Sequence, residues 1–284
     1  MPPVVTATPI KTVMLYATVD AFELSRGPGA LALAITETIG GALTGVLANL
    51  DANVPPSKEG RSYAQMEEDF RLREQTNHRN AQDMQLEAER RGLDFEAVTE
   101  FDHSRGFLAC IADRARLHDL VVVGADGAGM MSDRIIAQNL LFEIGRPMLV
   151  TPSDWAGAFR CTRIAVAWDN SRVAARALAD ALALFPSVEE VVLLTIGGEK
   201  AIRSSLEDDT TTRILSRKGI ATQVVHRELD GRSIGDALQQ EAKALDTDML
   251  VMGGYGHSRL RDFILGGATL GVVDKPQMPV LLSH

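Results

Sequence analysis

Cysteine, aromatic residues and basic charge are all scarce in this chain of 284 residues. Its two cysteines, Cys110 and Cys161, lie far apart without metal-binding spacing, which argues against both a disulfide framework and a zinc site. The net charge of −9 argues against nucleic acid or an anionic membrane as the main partner, because both require a basic face. With aromatics at 5%, the apolar residues are mainly Ala, Val, Leu and Ile, which is typical of helices packed on a parallel sheet.

Targeting and membrane-spanning patterns are also missing. The N-terminal segment lacks the basic-then-apolar order of a signal peptide. The most apolar stretch, residues 29–50, contains Glu37 and the break Gly40-Gly41. Because a carboxylate near the middle of a bilayer costs roughly 2.5–3.5 kcal/mol, this stretch predicts a buried helix, a turn and a strand. We therefore expect a cytoplasmic protein that does not associate with membranes.

The sequence contains two copies of one unit. At an offset of 129 residues, Asp119 falls on Asp248 and Gly124 falls on Gly253. In each copy an amphipathic helix, an aspartate, an apolar strand and a Gly-x-x-Gly follow one another. Near the ends the offset becomes 132, so the first copy is three residues shorter after its Gly-x-x-Gly.

Both copies alternate between strand and helix patterns. Runs such as LVVV at 120–123 and MLVM at 249–252 are continuously apolar, as in strands buried on both faces. The alternation predicts two doubly wound α/β domains, each a five-stranded parallel sheet with helices on both faces. A composition break with turn formers, PSDWAGAFR, separates the two predicted domains at 1–153 and 160–284.

A glycine-rich segment, residues 252–269, follows the fourth strand of the second copy and reads MGGYGHSRLRDFILGGAT. Gly253 and Gly256 permit a close approach of backbone N–H groups to a ligand. The pair Gly266-Gly267 opens the last helix, whose first amides and dipole favour an anion. Ligands of open parallel sheets bind at the carboxyl ends of the strands, near the switch point, where we also expect Asp169.

Simpler interpretations of these features remain open. Strand-to-helix turns use glycine with or without a ligand, and Asp169 can simply cap the helix that follows at Ser171. A nucleotide hydrolase or transferase would have to use His257 and Arg259. The first-strand turn lacks GxGxxG, which argues against a dehydrogenase, and the chain contains no Walker motif.

Together these motifs resemble the universal stress protein family in its tandem, two-domain form. The nucleotide motif of that family is Gly-x2-Gly-x9-Gly-Ser/Thr after the fourth strand, and Gly253, Gly256 and Gly266 have this spacing. The strand end VAWDNS resembles the family's valine-rich first strand with its Asp-x-Ser ending. The closing PVLLSH resembles the family's last strand, which pairs two domains edge to edge.

The chain departs from the family pattern in both copies. Gly267 stands where the motif has a hydroxyl-bearing residue, although Thr269 fits the second hydroxyl position. In the first copy, Ala137 stands in place of the third glycine and Thr18 in place of the aspartate. We therefore expect the first domain to be a degenerate structural partner that does not bind nucleotide.

The resemblance implies a stress-response protein with a flavodoxin-like or adenine-nucleotide-hydrolase-like fold. It implies ATP or AMP, with or without Mg, bound by the second domain for sensing or signalling rather than catalysis. A ligand-free scaffold that binds unknown protein partners is the alternative. The two final strands are expected to pair within the chain as a pseudo-dimer, and further homodimerisation stays open. No catalytic residue or metal ligand is assigned, and the residues implied at the nucleotide are Ala167, Trp168, Asp169, Met252, Gly253, Gly256, His257, Ser258, Gly266, Gly267, Ala268 and Thr269.

Overall fold

The computed structural model describes residues 11–19, 22–49, 63–99, 106–125, 132–197, 208–254 and 267–284. The elements of the N-terminal half are β1 (Thr12–Thr18), α1 (Gly27–Ile39), β2 (Ala42–Ala48), α2 (Tyr63–Arg90), β3 (Asp94–Val98), α3 (Phe107–Ala115), β4 (Leu120–Gly124), α4 (Asp133–Glu143) and β5 (Met148–Thr151). Those of the C-terminal half are β6 (Arg163–Ala167), α5 (Arg172–Leu184), β7 (Glu190–Gly197), α6 (Asp208–Ser216), β8 (Ala221–Glu228), α7 (Ile234–Ala244), β9 (Met249–Gly253), α8 (Gly267–Asp274) and β10 (Val280–Ser283).

All ten strands lie in one sheet, in the order β3-β2-β1-β4-β5-β10-β9-β6-β7-β8. Neighbouring strands within each half are parallel, which confirms the predicted doubly wound fold. The halves join through β5 and β10, which pair antiparallel with Leu149 opposite Leu281. This contact confirms the expected edge-to-edge pairing of the final strands. In each half the strand order reverses beside the first strand, between β1 and β4 and between β6 and β9.

Two hydrophobic layers cover the two faces of this sheet. Alternate residues of β1 serve different layers, Val13 and Leu15 on one face and Met14 and Tyr16 on the other. Because successive strand side chains point to opposite faces, such continuously apolar strands are buried on both sides. Residues of α1, α2 and α5 cover the first face, and residues of α3, α4, α7 and α8 cover the second.

The helix starts follow local capping chemistry. Ser132, Ser171 and Ser233 are N-cap residues whose side chains accept a hydrogen bond from a backbone N–H in the first turn. The sequence predicts a buried helix over Ala30–Ile39, whereas α1 starts at Gly27. A proline near its start fits the first turn, where a missing N–H costs nothing.

The many charged residues of Ser62–Arg91 predict a long helix that is solvated on one side. Helix α2 confirms this, and it is exposed over most of its 28 residues. The buried contacts come from Asn77, Ala81, Met84 and Ala88, in its second half. Asn77 fixes the helix on the sheet by donating to the carbonyl of Leu47 at 2.9 Å. Among the described residues, no helix combines the length and apolarity needed to cross a membrane.

Polar contacts also join the two halves beside the β5–β10 pair. Lys11 Nζ donates to the carbonyls of Ala183 and Leu184 at the end of α5, at 2.5 and 2.6 Å. A cation is favourable there because the last carbonyls of a helix carry partial negative charge. Gln138 of α4 donates to Asp274 of α8 at 2.9 Å. The halves therefore share one continuous sheet, with polar contacts between them on both of its faces.

Candidate functional site

The candidate site lies at the carboxyl ends of β6 and β9, where the strand order of the C-terminal half reverses. In a parallel sheet this reversal leaves a crevice, because the helices that follow the two strands pack on opposite faces. Helix α5 follows β6 on one face, whereas α8 follows β9 on the other. The crevice is thus bounded by two strand ends and by two helix N-termini.

The β6 end presents Trp168 and Asp169 to this crevice. The Trp168 N–H continues the sheet by donating to Leu194 at 2.8 Å, and the indole N–H donates to Asn170 at 3.0 Å. The Asp169 carboxylate is exposed and accepts a hydrogen bond from the Ser171 N–H at 2.9 Å. Asn170 has a positive φ of 59°, which asparagine tolerates better than most residues. This turn displays a carboxylate at the strand end.

The β9 end requires glycine for packing. A Cβ added to Gly253 would lie 2.6 Å from the backbone carbon of Val173 and 2.7 Å from its side chain. The strand therefore approaches the start of α5 as closely as a bare backbone allows. Met252 is buried and Ala167 is half-buried, so these two predicted site residues form an apolar wall. Close packing accounts for Gly253 whether or not a ligand binds.

Helix α8 supplies the third side of the crevice. It begins at Gly267, which is exposed, and a Cβ there would meet no atom within 4 Å. Ala268 is half-buried and Thr269 is buried at 4% exposure. The remaining predicted site residues, Gly256, His257, Ser258 and Gly266, lie outside the described residues.

Residues 161–284 match the model of the universal stress protein family, and they comprise every element of this crevice. The C-terminal half of the chain, the matched range, is therefore similar to the universal stress protein family.

Individual relatives are similar over a wider range. A universal stress protein of Synechocystis sp. is 27% identical over 190 residues, which make up 63% of each protein. The chain thus spans 63% of the length of this curated relative. A universal stress protein from Archaeoglobus fulgidus has a TM-score of 0.67 at 15% identity, covering 95% of both chains. A putative universal stress protein from Pseudomonas aeruginosa has a TM-score of 0.55 at 14% identity, covering 96% of this chain and 93% of its own. These two structures share the fold over both halves.

The N-terminal half has the same kind of switch point with different residues. The registers of β1 on β4 and of β6 on β9 make Thr18 the equivalent of Asp169. Thr18 is buried, as is Gly124 at the end of β4. The first residue of α4 is Asp133, whose fully buried carboxylate accepts a hydrogen bond from the Thr18 N–H at 3.1 Å. Sequence reasoning missed Asp133, although an acidic residue directly after the N-cap Ser132 was a usable signal.

The position predicted for the third glycine of the N-terminal half is wrong. Ala137 lies in the middle of α4 and is fully buried, whereas the motif's glycine should precede the helix. The shortening lies before α4, because eight residues (125–132) separate β4 from α4, whereas thirteen (254–266) separate β9 from α8. The last strands of the two halves align at an offset of 132. At that offset Ala137 corresponds to Thr269 instead, which is likewise buried in its helix.

The repeated aspartates Asp119 and Asp248 lie at the opposite edge of the sheet, where the strands begin. Asp119 accepts hydrogen bonds from the N–H and hydroxyl of Thr12, at 2.9 and 3.2 Å. Asp248 accepts from Thr162 and Arg163 N–H groups at 2.8 and 3.0 Å. Burial alone would raise the pKa of Asp248, but these hydrogen bonds outweigh it and hold the pKa below its ordinary value of 3.8. Both aspartates join two strands and are remote from the crevice.

No group of three or more His, Cys, Asp or Glu residues within the described ranges is arranged to hold a metal ion. Neither Cys110 nor Cys161 forms a disulfide. Burial of Cys161, together with the charge of Asp248, raises the pKa of its thiol to about 12. A thiol of this kind stays protonated and unreactive at neutral pH.

Proposed function

We propose that the C-terminal half binds an adenine nucleotide, ATP or AMP, in the crevice between β6 and β9, and that the protein uses this binding for sensing or signalling in a stress response. The observation that carries the proposal is the exposure of one polar strand end and one helix start on the two sides of this switch point. Asp169 and Gly267 are both exposed on its two sides. The glycine spacing of the loop between β9 and α8, as in the family motif, supports it further.

The phosphates are assigned to the N-terminus of α8. Gly267 has no side chain and Thr269 is buried, so the donors we expect are the backbone N–H groups of Gly267 and Ala268. Free amides at a helix start carry partial positive charge and form a ready anion site. By the family resemblance, Gly256, His257, Ser258 and Gly266 complete this end.

The ribose and base are assigned to the β6 end. The Asp169 carboxylate is exposed at the strand terminus and can accept a hydrogen bond from a ribose hydroxyl or from the adenine amino group. By the family resemblance, Ala167, Trp168 and Met252 are also expected at the base; Ala167 and Trp168 are half-buried, whereas Met252 is buried. The proposed sites for base and phosphate thus lie on opposite sides of one crevice.

Calorimetric titration of ATP and AMP into the protein, with and without Mg, tests this function. We expect binding with one site per chain and copurified nucleotide in a mass spectrum after gentle denaturation. Asp169→Asn keeps an oxygen for the Ser171 N–H but removes the charge, so affinity should fall roughly tenfold, as for a lost hydrogen bond to a charged group. Asp113→Asn, an exposed change on α3, should leave affinity unchanged and serves as the matched control.

A ligand-free scaffold is the second candidate function, and Gly267 is the observation that favours it. Gly267 lacks the hydroxyl that the family motif has at this position, so a nucleotide site here would hold the phosphates through fewer contacts. The fold alone can still serve as a surface for protein interactions. No heat, no thermal shift and no retained nucleotide at saturating ATP and AMP would favour the scaffold and exclude the nucleotide proposal. Fast turnover of bound ATP would contradict the sensing function, whereas slow hydrolysis is compatible with it.

A further inference from the structure

The crevice of the N-terminal half, at the switch point between β1 and β4, is filled by the chain itself. Asp133 reaches into it from the first turn of α4, and its Oδ1 accepts the Thr18 N–H at 3.1 Å. Its Oδ2 would lie 3.2 Å from a Cβ added to Gly124. The carboxylate therefore lies between the ends of the two strands whose order reverses, fully buried.

The electrostatic surroundings of this carboxylate are those of a bound anion. Asp133 belongs to the first turn of α4, where the helix dipole and free N–H groups favour negative charge. Ser132 already caps the Ile135 N–H at 3.4 Å, so it does not compete with Asp133 for the Thr18 N–H. Burial and then the charge of Asp133 raise the pKa of Tyr16 well above 10.0, which places that charge beside the buried phenol.

The side of the crevice formed by α1 is closed as well. A Cβ at Gly124 would lie 3.3 Å from Pro28 Cγ, so the start of α1 packs directly on the end of β4. The Gly27 N–H donates to the carbonyl of Trp155 at 2.7 Å, which ties the start of α1 to the segment after β5. Residues 27–30 are all buried in consequence.

We propose that Asp133 is a built-in anion of the N-terminal half: its carboxylate occupies the position at which doubly wound folds hold the anionic group of a ligand, and it keeps this half closed without one. The carboxylate satisfies the Thr18 N–H and the positive end of α4 from within the chain. This role concerns the N-terminal half alone and does not rest on nucleotide binding by the other half.

Removal of the carboxylate followed by rescue with a small free carboxylate tests the proposal. Asp133→Ala leaves a buried N–H unpaired and a cavity at the switch point, so Tm should fall by about 5 °C. Added formate should restore part of this loss along a saturable curve, with sodium chloride at equal ionic strength as the reference. Asp113→Ala removes an exposed carboxylate of the same half and should neither lose comparable stability nor respond to formate.

Asp133→Asn provides a second variant if Asp133→Ala does not fold. The amide keeps the volume and one acceptor oxygen, so we expect a Tm between those of the wild type and the alanine variant and no response to formate. Wild-type stability of Asp133→Asn would overturn the proposal, because the negative charge would then have no role. An equal response of wild type and Asp133→Ala to formate would also overturn it.

Discussion

The two halves of this chain have the same strands in the same order, and a glycine ends both β4 and β9, yet the residues at their switch points differ in burial. Thr18 is buried at the end of β1, whereas its equivalent, Asp169, is exposed at the end of β6. Asp133 is buried at the start of α4, whereas Gly267 is exposed at the start of α8. The scaffold is thus shared, and a few side chains at the strand ends decide whether a crevice is available.

The helices after the first strands show how this difference is maintained. In the C-terminal half, Ser171 caps α5 from within its own turn, accepting the Ala174 N–H at 3.1 Å. In the N-terminal half, the first N–H of α1 is paired with Trp155, which lies beyond β5. A locally capped helix leaves its N-terminus accessible, whereas a helix capped by a distant segment is covered by it.

The largest expected effect is the difference in stability lost when each of the two strand-end glycines is replaced by alanine. In Gly253→Ala the new Cβ would lie 2.6 Å from the backbone of Val173, which cannot move without shifting α5, so the free energy of unfolding should fall by about 3 kcal/mol or more. In Gly124→Ala the nearest atoms are side-chain atoms of Asp133 and Pro28, at 3.2 and 3.3 Å, and the loss should be about 1 kcal/mol. Urea unfolding measures both, and equal losses would contradict the difference in packing.

The next largest effect is the stability lost when each repeated aspartate, Asp119 or Asp248, is replaced at the edge of the sheet where the strands begin. Asp248 accepts hydrogen bonds from three residues, including the exposed Arg160 at 3.1 Å, whereas the hydrogen bonds to Asp119 come from Thr12. Asp248→Ala should therefore lower the free energy of unfolding by about 2 kcal/mol and Asp119→Ala by about 1 kcal/mol. A larger loss for Asp119→Ala in the same urea titrations would show that the strand contacts, rather than the number of donors, set the cost.

The pH dependence of stability should show a smaller effect of Asp248. Its pKa is lowered in the folded state, so the unfolded chain binds more protons near the ordinary value of 3.8. The stabilisation is therefore complete above that pH and is lost as the pH falls through the lower, folded pKa. Asp248→Asn should flatten this part of the profile of Tm against pH, and an unchanged acid slope would contradict the assignment.

Much of the fold was predictable because its signals are local and repeated. Continuous apolar runs identified the inner strands, as at β4 and β9, and the family resemblance implied the pairing of β5 with β10. Helix ends shifted by a few residues where a cap decided them, as at Gly27. The C-terminal crevice followed from the glycine spacing and Asp169, since both are properties of single segments.

The closed crevice of the N-terminal half could not be predicted in the same way. It depends on a contact between Asp133 and Thr18, which are 115 residues apart, and on the cover that Trp155 provides for α1. The wrong position of Ala137 has a related cause, because a deletion can be located only once the helix boundaries are known. Contacts distant in sequence, rather than motifs, distinguish the two halves.

The smallest expected effect is the gain in ATP affinity when Gly267 is replaced by serine, the residue type that the family motif has at this position. Gly267→Ser adds the missing hydroxyl at a position where a Cβ meets no atom within 4 Å, so the fold should accept it. One additional hydrogen bond to phosphate contributes about 1 kcal/mol, and ATP affinity should rise about fivefold. Gly267→Ala is the matched control, since it stabilises α8 equally without a hydroxyl. Equal gains in both variants, measured by calorimetry, would assign the effect to the helix and remove Gly267 from the proposed phosphate site.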